Sequence, residues 1–293
     1  MINIEFEKGN LIKSPLNYTG GKYKLLPQLL PLFPDKIDTF VDLFCGGCNV
    51  GINVKANKII CNDIVYHIIN MFKSMKNTNA TVALNKVHSI INTYDLNTTN
   101  KEGFKKLRNN YNNGKTEWYY FYTLVAFSFN HQFRFNNNHK YNSSFGGTIS
   151  SYKKITEQNL IKFINRISEL NIYFTSLDYN EYNLNFLSKN DFIYCDPPYS
   201  ITTGNYNDGK RGFKGWNKQD DVDLFNLLDT LNNKNIKFAL SNVLKNKGKS
   251  NDILKSWSKK YNIHHLNNSY GNSIYNAKNK SNNTTDEVLI TNY

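Results

Sequence analysis

The sequence predicts an α/β fold interrupted by a helical insert, and three observations carry that reading. Short apolar runs that end in an acid or a glycine turn occur at 39–44, 58–63 and 192–196, as buried strands meeting loops do. From about Ile68 to Ile161 the apolar spacing turns helical, with many Asn and Lys and no strand alternation. Beyond that stretch, helical and strand patterns alternate again to the end of the chain.

With 293 residues the chain suffices for one large domain or two modest ones, with a full core. Lys and Arg outnumber Asp and Glu by 36 to 23, for a net charge of +13. That excess suits a polyanionic partner or a merely solvated basic surface. There is no run of 18 apolar residues, and Met1–Phe6 lacks the layout of a signal peptide, so a cytoplasmic protein without membrane association is expected. Cys45-Gly46-Gly47-Cys48 matches C-x-x-C, but neither a second pair nor a nearby His completes a metal site; small buried thiols and no metal are expected.

Taken in order, Ser14–Lys22 reads as a glycine-bearing loop, and the leucines from 25 to 32 carry helical spacing up to Pro34. A T-G-G-K turn at a helix start can hold an anion through backbone N–H groups and the Lys22 ammonium, or it can simply begin a surface helix. Thr39–Phe44 reads as the first strand, and Cys45–Gly51 as the glycine turn leading to a helix. Lys58–Asp63 reads as the second strand. Asp63 falls about 20 residues after Asp42, where nucleotide-binding α/β folds place a carboxylate for ribose hydroxyls; it could equally cap a helix from Val65. The glycine turn lacks G-x-G-x-x-G, which argues against NAD and for an adenosine cofactor without pyrophosphate, S-adenosylmethionine above all.

Within the insert, Lys101–Arg108 and Trp118–Phe129 are helix candidates. Phe127–Asn136 interleaves aromatics with hydrogen-bonding side chains, and Asn142–Thr148 is a polar turn. Arg, Asn and Gln read base edges, and aromatics wedge into a duplex or stack on an unpaired base; Arg134 is the best candidate for a guanine contact. The alternative is a helical lid whose aromatics are core. His131 and His139 lack partners for metal binding.

Leu160–Ile167 resumes as a helix, and Asn171–Ser176 as a strand with Leu177-Asp178-Tyr179 at its exit and a second helix after it. Phe192–Cys195 is a short buried strand, and Asp196-Pro197-Pro198-Tyr199 a rigid corner at its carboxyl end. Such a corner offers a carboxylate, an unpaired carbonyl and an aromatic face, suited to gripping a nucleobase amino group while Tyr199 stacks on the ring; an ordinary proline turn is the plain alternative. Residues 201–216 suggest a mobile loop beside it. Helices are expected at 219–232 and 251–261, strands at 236–242, 262–266 and 287–293, and a polar loop at 269–284.

Y-T-G-G-K, F-V-D-L-F-C-G-G, C-N-D-I, D-P-P-Y and T-D-E-V-L-I-T-N-Y occur in that order, and with a helical insert between the third and fourth the chain resembles the Dam-type DNA adenine-N6 methyltransferases, most of all those of phages. The resemblance implies a doubly wound, Rossmann-like methyltransferase sheet formed by 1–67 and 162–293, and a target-recognition domain formed by 68–161. It implies S-adenosylmethionine as methyl donor and GATC in double-stranded DNA as the site. A restriction endonuclease is a candidate partner, and the enzyme is expected as a monomer or weak dimer.

Carried over by position, Asp196, Pro197 and Tyr199 form the catalytic corner. Tyr18, Lys22, Asp42, Phe44, Gly46, Asp63, Asp178 and Asp196 form the expected cofactor set. Arg134 matches the arginine of R-x-N in the recognition hairpin, with Phe129, Asn130, Gln132, Asn136, Ser144 and Gly146 around it. The family's P-[FY]-G turn is here Ser144-Phe145-Gly146, followed by Gly147-Thr148 in place of basic residues. Other readings are methylation of another DNA sequence or of RNA, and an idle DNA-binding protein that keeps the cofactor as a structural ligand.

Overall fold

Phe40 and Val41 of the first strand have no exposed surface, and they point to opposite cores, as a strand covered on both faces must. A computed structural model describes residues 11–202, 215–267 and 285–293. Among them, the strands β1 (Thr39–Asp42), β2 (Lys58–Asn62), β3 (Ile172–Thr175), β4 (Phe192–Cys195), β5 (Lys237–Asn246), β6 (Lys249–Ser250), β7 (Asn262–Leu266) and β8 (Thr285–Thr291) form a single sheet. The order is β3-β2-β1-β4-β5-β8-β7, with β6 paired to the end of β5. The first five of that order run parallel, and β8 is antiparallel to both β5 and β7.

That order places the site. The chain steps from β1 through β2 to β3 at one edge, then returns to the other side of β1 for β4. The loops leaving β1 and β4 therefore diverge, opening a crevice at their carboxyl ends, where open α/β sheets hold ligands.

The helices are α1 (Leu26–Leu29), α2 (Tyr66–Lys76), α3 (Ala80–Thr93), α4 (Lys101–Asn112), α5 (Trp118–Phe127), α6 (Lys154–Glu169), α7 (Lys218–Asn233) and α8 (Asp252–Ser258). α7 and α8 cover one sheet face, with Leu224, Leu228 and Leu254 meeting Val41, Ile193 and Leu240. On the other face α2 and α6 set Phe72 and Phe163 against Phe40, Ile59 and Phe192. α5 is buried nearly all round and continues that same apolar cluster into the insert, with α3 and α4 packed against it. The positions 67/68 and 161/162 fall inside α2 and α6, two helices that cover the sheet and carry the insert at once. Asparagine begins many of these helices: Asn79, Asn100, Asn217 and Asn251 each accept first-turn N–H bonds.

The structure corrects three expected elements and adds one. The glycine turn after β1 leads to no helix; residues 49–54 wind as turns, with Ile52 N–H bonded to Cys48 and Val54 N–H to Val50, and β2 follows. Asn49 and Asn53 there bond Ser14 and Ile12 of the preceding segment, which fixes the chain in a tight knot. The helix after β3 shrinks to one 3₁₀ turn, Tyr179–Glu181, capped by Asp178. The leucine helix breaks into 3₁₀, α and 3₁₀ pieces; Pro27 and Pro31 lack the N–H groups that would continue it. β6, at Lys249–Ser250, has no counterpart in the sequence pattern. Positions 203–214 of the expected loop at 201–216, and all of that at 269–284, lie outside the described residues, as does Met1–Phe6. Among the described residues no helix is long and apolar enough to cross a membrane.

Candidate active site at the switch point

Asp196 leaves the end of β4 with 17% of its side chain exposed, and both of its oxygens are engaged. Oδ1 accepts the Tyr199 hydroxyl at 2.8 Å, and Oδ2 is 2.7 Å from the Lys22 ammonium. Lys22 also donates to the Gly20 carbonyl at 3.0 Å, so the T-G-G-K loop closes onto its own lysine. The ammonium lies 5.1 Å from the centre of the Tyr199 ring. Burial raises the affinity of Asp196 for a proton, Lys22 opposes that, and the net direction is up. Burial also pushes the Tyr199 hydroxyl up, which keeps it a donor. The Lys22 side chain is 5% exposed, and its ammonium faces two carboxylates, those of Asp196 and Glu287.

All the residues expected to bind cofactor line one cavity with Asp196, Pro197 and Tyr199. Gly46 sits at φ +47°, and a side chain there would meet the Tyr18 ring at 2.8 Å, so glycine lets the loop close against that ring. Asp63 fixes this loop: Oδ2 accepts the Gly46 N–H at 2.8 Å and Oδ1 the Val65 N–H at 2.9 Å. Asp63 is not the N-cap of α2, which is Val65 without a side-chain cap; it lies just before that cap and lines the cavity with spare acceptor capacity.

Asp42 is buried at the end of β1, and its Oδ1 has no hydrogen-bond partner among the described residues. Burial pushes its carboxyl well above the usual range, with nearby acids adding to it. A donor or a cation from a ligand would satisfy that oxygen. Opposite, Phe44, Tyr179 and Trp216 make an aromatic wall with ring centres 5.3 to 5.6 Å apart. Asp178 lines the cavity mouth, its carboxylate accepting the Asn180 N–H. A flat ring, a hydroxylated sugar and a cationic centre are the features this lining would accept.

The residues expected to meet DNA cluster in the segment between α5 and α6. It folds back on itself through the bridges Ser128–Phe145 and Phe135–Tyr141. Asn112 on α4 clamps it, accepting the Tyr141 N–H at 2.8 Å and donating to the Tyr141 carbonyl at 2.9 Å. Phe129, Asn130, Arg134 and Ser144 are exposed, and Gln132 is half-buried. Gly146 is buried against Ser150 and the Ser128 carbonyl, and the half-buried Asn136 accepts the Asn138 and Lys140 N–H bonds of its own turn. The segment abuts the cavity, with Asn17 donating to the Asn130 carbonyl and Phe133 6.0 Å from Tyr18.

Three contributors were not singled out from the sequence. Glu287 on β8, 3% exposed, stands 3.6 Å from Lys22 and 3.4 Å from the Tyr199 hydroxyl. Its signal was a second acid directly before the apolar run Val288–Ile290 of the last strand. Asn62 ties the ends of β1, β2 and β3, bonding Leu43, Thr175 and Leu177. Asp221, fully buried on α7, accepts Ser200 at 2.6 Å and Trp216 at 2.7 Å, and so joins the corner after Tyr199 to the aromatic wall. The four cysteines are buried and unpaired, with Cys48 and Cys61 sulfurs 3.3 Å apart.

Residues 18–272 match the family described as D12 class N6 adenine-specific DNA methyltransferase. The chain is 52% identical over 282 residues to the type II methyltransferase M.FokI of Planomicrobium okeanokoites, covering 96% of this chain and 43% of that protein. It is 47% identical over 284 residues to the modification methylase StsI of Streptococcus sanguinis, again covering 96% and 43%. It is 37% identical over 246 residues to the modification methylase LlaI of Lactococcus lactis subsp. lactis, covering 84% and 39%. The chain thus spans less than half the length of these relatives.

Proposed function

Because the chain belongs to the D12 class of N6 adenine-specific DNA methyltransferases, we propose that it moves a methyl group from S-adenosylmethionine to N6 of an adenine in duplex DNA. The observation that carries this reading is one cavity at the β1/β4 divergence lined both by the Asp196-Pro197-Pro198-Tyr199 corner and by a glycine loop with two acids. The Asp42 oxygen without a partner among the described residues, the Gly46 cradle and the aromatic wall suit the cofactor's charged, sugar and ring portions. Asp42 would face the cationic methionine end, Asp63 the ribose, and Phe44 with Tyr179 and Trp216 the adenine, with Tyr18 packed against the loop below.

When bound, S-adenosylmethionine supplies a methyl already activated on a positively charged sulfur. The chain's task is then alignment, which is worth several kcal/mol. Asp196 and the Pro197 carbonyl accept the two N–H bonds of the target amine and turn its lone pair toward the methyl. Tyr199 packs on the base, which must leave the duplex because its amine is unreachable while paired. The new N–C bond leaves the nitrogen cationic, the electrons of the broken S–C bond stay on sulfur, and the proton the nitrogen sheds goes to Asp196 or to water.

Residues 68–161 act as the target-recognition part and 1–67 with 162–293 as the catalytic part. The exposed Arg134, in the segment whose Asn130 carbonyl accepts Asn17, reads a guanine next to the flipped adenine. GATC is the site implied by the likeness to Dam-type enzymes. Relatives named as type II and modification methylases favour a role in protecting DNA from a restriction endonuclease. Mapping methylated adenines in DNA from an expressing host without methylases of its own tests all of this. Methylation at every GATC is the expected result; methylated adenines in another sequence keep the chemistry and discard the site, and unmodified DNA discards the function.

A further inference from the structure

Lys22 and Tyr199 are each placed between two carboxylates. The ammonium is 2.7 Å from Asp196 and 3.6 Å from Glu287, and the hydroxyl is 2.8 Å from Asp196 and 3.4 Å from Glu287. Both donors use Asp196 in this structure. An N–H of the target amine would compete with both for the lone pairs of Asp196 and loosen their hold on it.

A lysine only 5% exposed cannot yield to water, and leaving a buried ammonium without a counter-charge is strongly unfavourable. Glu287 removes that obstacle. It reaches the site from β8, where Val288, Leu289 and Ile290 beside it are fully buried, so nothing about strand packing asks for an acid there. A movement of less than about 1 Å would bring either donor from one carboxylate to the other, within ordinary hydrogen-bond lengths.

We propose that Glu287 is a positioning residue for methyl transfer, the second acceptor onto which the Lys22 ammonium and the Tyr199 hydroxyl shift when the target amine takes Asp196. This rests on the reading of Asp196 as the amine's acceptor. The charged and titratable groups facing Asp196 are Lys22 from the first loop, Tyr199 from its own corner, Glu287 from β8, Asp42 from β1, and Tyr194 and Cys195 from β4. Glu287 works against ionisation of Asp196 and Lys22 works for it.

The sign of the test follows. The ionised carboxylate is the competent form, so the rate falls as pH drops through the Asp196 pKa. Glu287→Gln removes a like charge and moves that acid limb to lower pH; Lys22→Met removes the opposite charge and moves it to higher pH. A residue with a merely structural role moves neither limb in a fixed direction. The experiment compares pH–rate profiles of the full chain on unmethylated duplex DNA, with cofactor affinity measured by calorimetry.

Glu287→Gln is expected to bind S-adenosylmethionine within about threefold of wild type, to lose roughly tenfold or more in kcat, and to shift the limb downward. Glu287→Asp, which keeps the charge, recovers part of kcat. Wild-type transfer with an unchanged kcat or an unmoved limb in Glu287→Gln overturns the inference and leaves the methyltransferase reading intact. Absence of transfer by the wild-type chain overturns that reading, and the inference with it. If Glu287→Gln loses cofactor binding through misfolding, the Glu287→Asp and Lys22→Met profiles decide; a Lys22→Met limb that does not rise overturns the inference.

Discussion

Replacing Gly46 with alanine isolates the backbone's share of cofactor binding. At φ +47° an L-residue other than glycine carries roughly 1–2 kcal/mol of strain. The new methyl would also lie 2.8 and 2.9 Å from two Tyr18 ring carbons, so the ring must shift too. The free protein can relax by letting the loop move off the Asp63 carboxylate, which now accepts the Gly46 N–H. Cofactor binding must then restore the loop, and the same 1–2 kcal/mol reappears as affinity lost, roughly a 5- to 30-fold rise in Kd. Gly47→Ala is the internal contrast: its φ is not in the left-handed region and its nearest contact is 3.1 Å, so a rise of less than about threefold is expected. Titration calorimetry with S-adenosylmethionine reads both. Equal Kd values for Gly46→Ala and wild type would refute the assignment of this loop as the cofactor cradle.

Asp221→Ala strands the half-buried donors of Ser200 and Trp216, which costs about 2 kcal/mol and lowers Tm by roughly 4–8 °C in a scanning measurement; an unchanged Tm contradicts the clamp. Arg134→Ala costs about 1–3 kcal/mol of discrimination at one guanine. Relative rates on cognate and altered duplexes that do not change would remove Arg134 from base reading.

The sheet and the cavity were legible because they rest on local pattern. Strands ending in Asp42, Asp63 and Asp196 needed only apolar runs and punctuation, and the sheet order brings their ends to one crevice. What failed was equally local in appearance but decided by distant contacts. The turn after Cys45 looks like the start of a helix, yet Asn49 and Asn53 bond residues 12 and 14 and hold it as a turn. The Lys22–Asp196 pair joins two motifs far apart in sequence, so no spacing rule could foretell that the lysine of the first closes on the acid of the other. Glu287 was hidden for the same reason, an acid directly before an apolar run whose partners come from two other segments. Asn136 and Gly146 shape the turn they sit in, a role that sequence alone does not separate from reading bases.

The most direct measurement is transfer of labelled methyl from S-adenosylmethionine to unmethylated duplex DNA by the wild-type chain and by Asp196→Ala, with DNA binding followed in parallel. The account requires incorporation into adenine by the wild type, and its loss in the variant while DNA binding persists. Wild-type turnover in Asp196→Ala would contradict it.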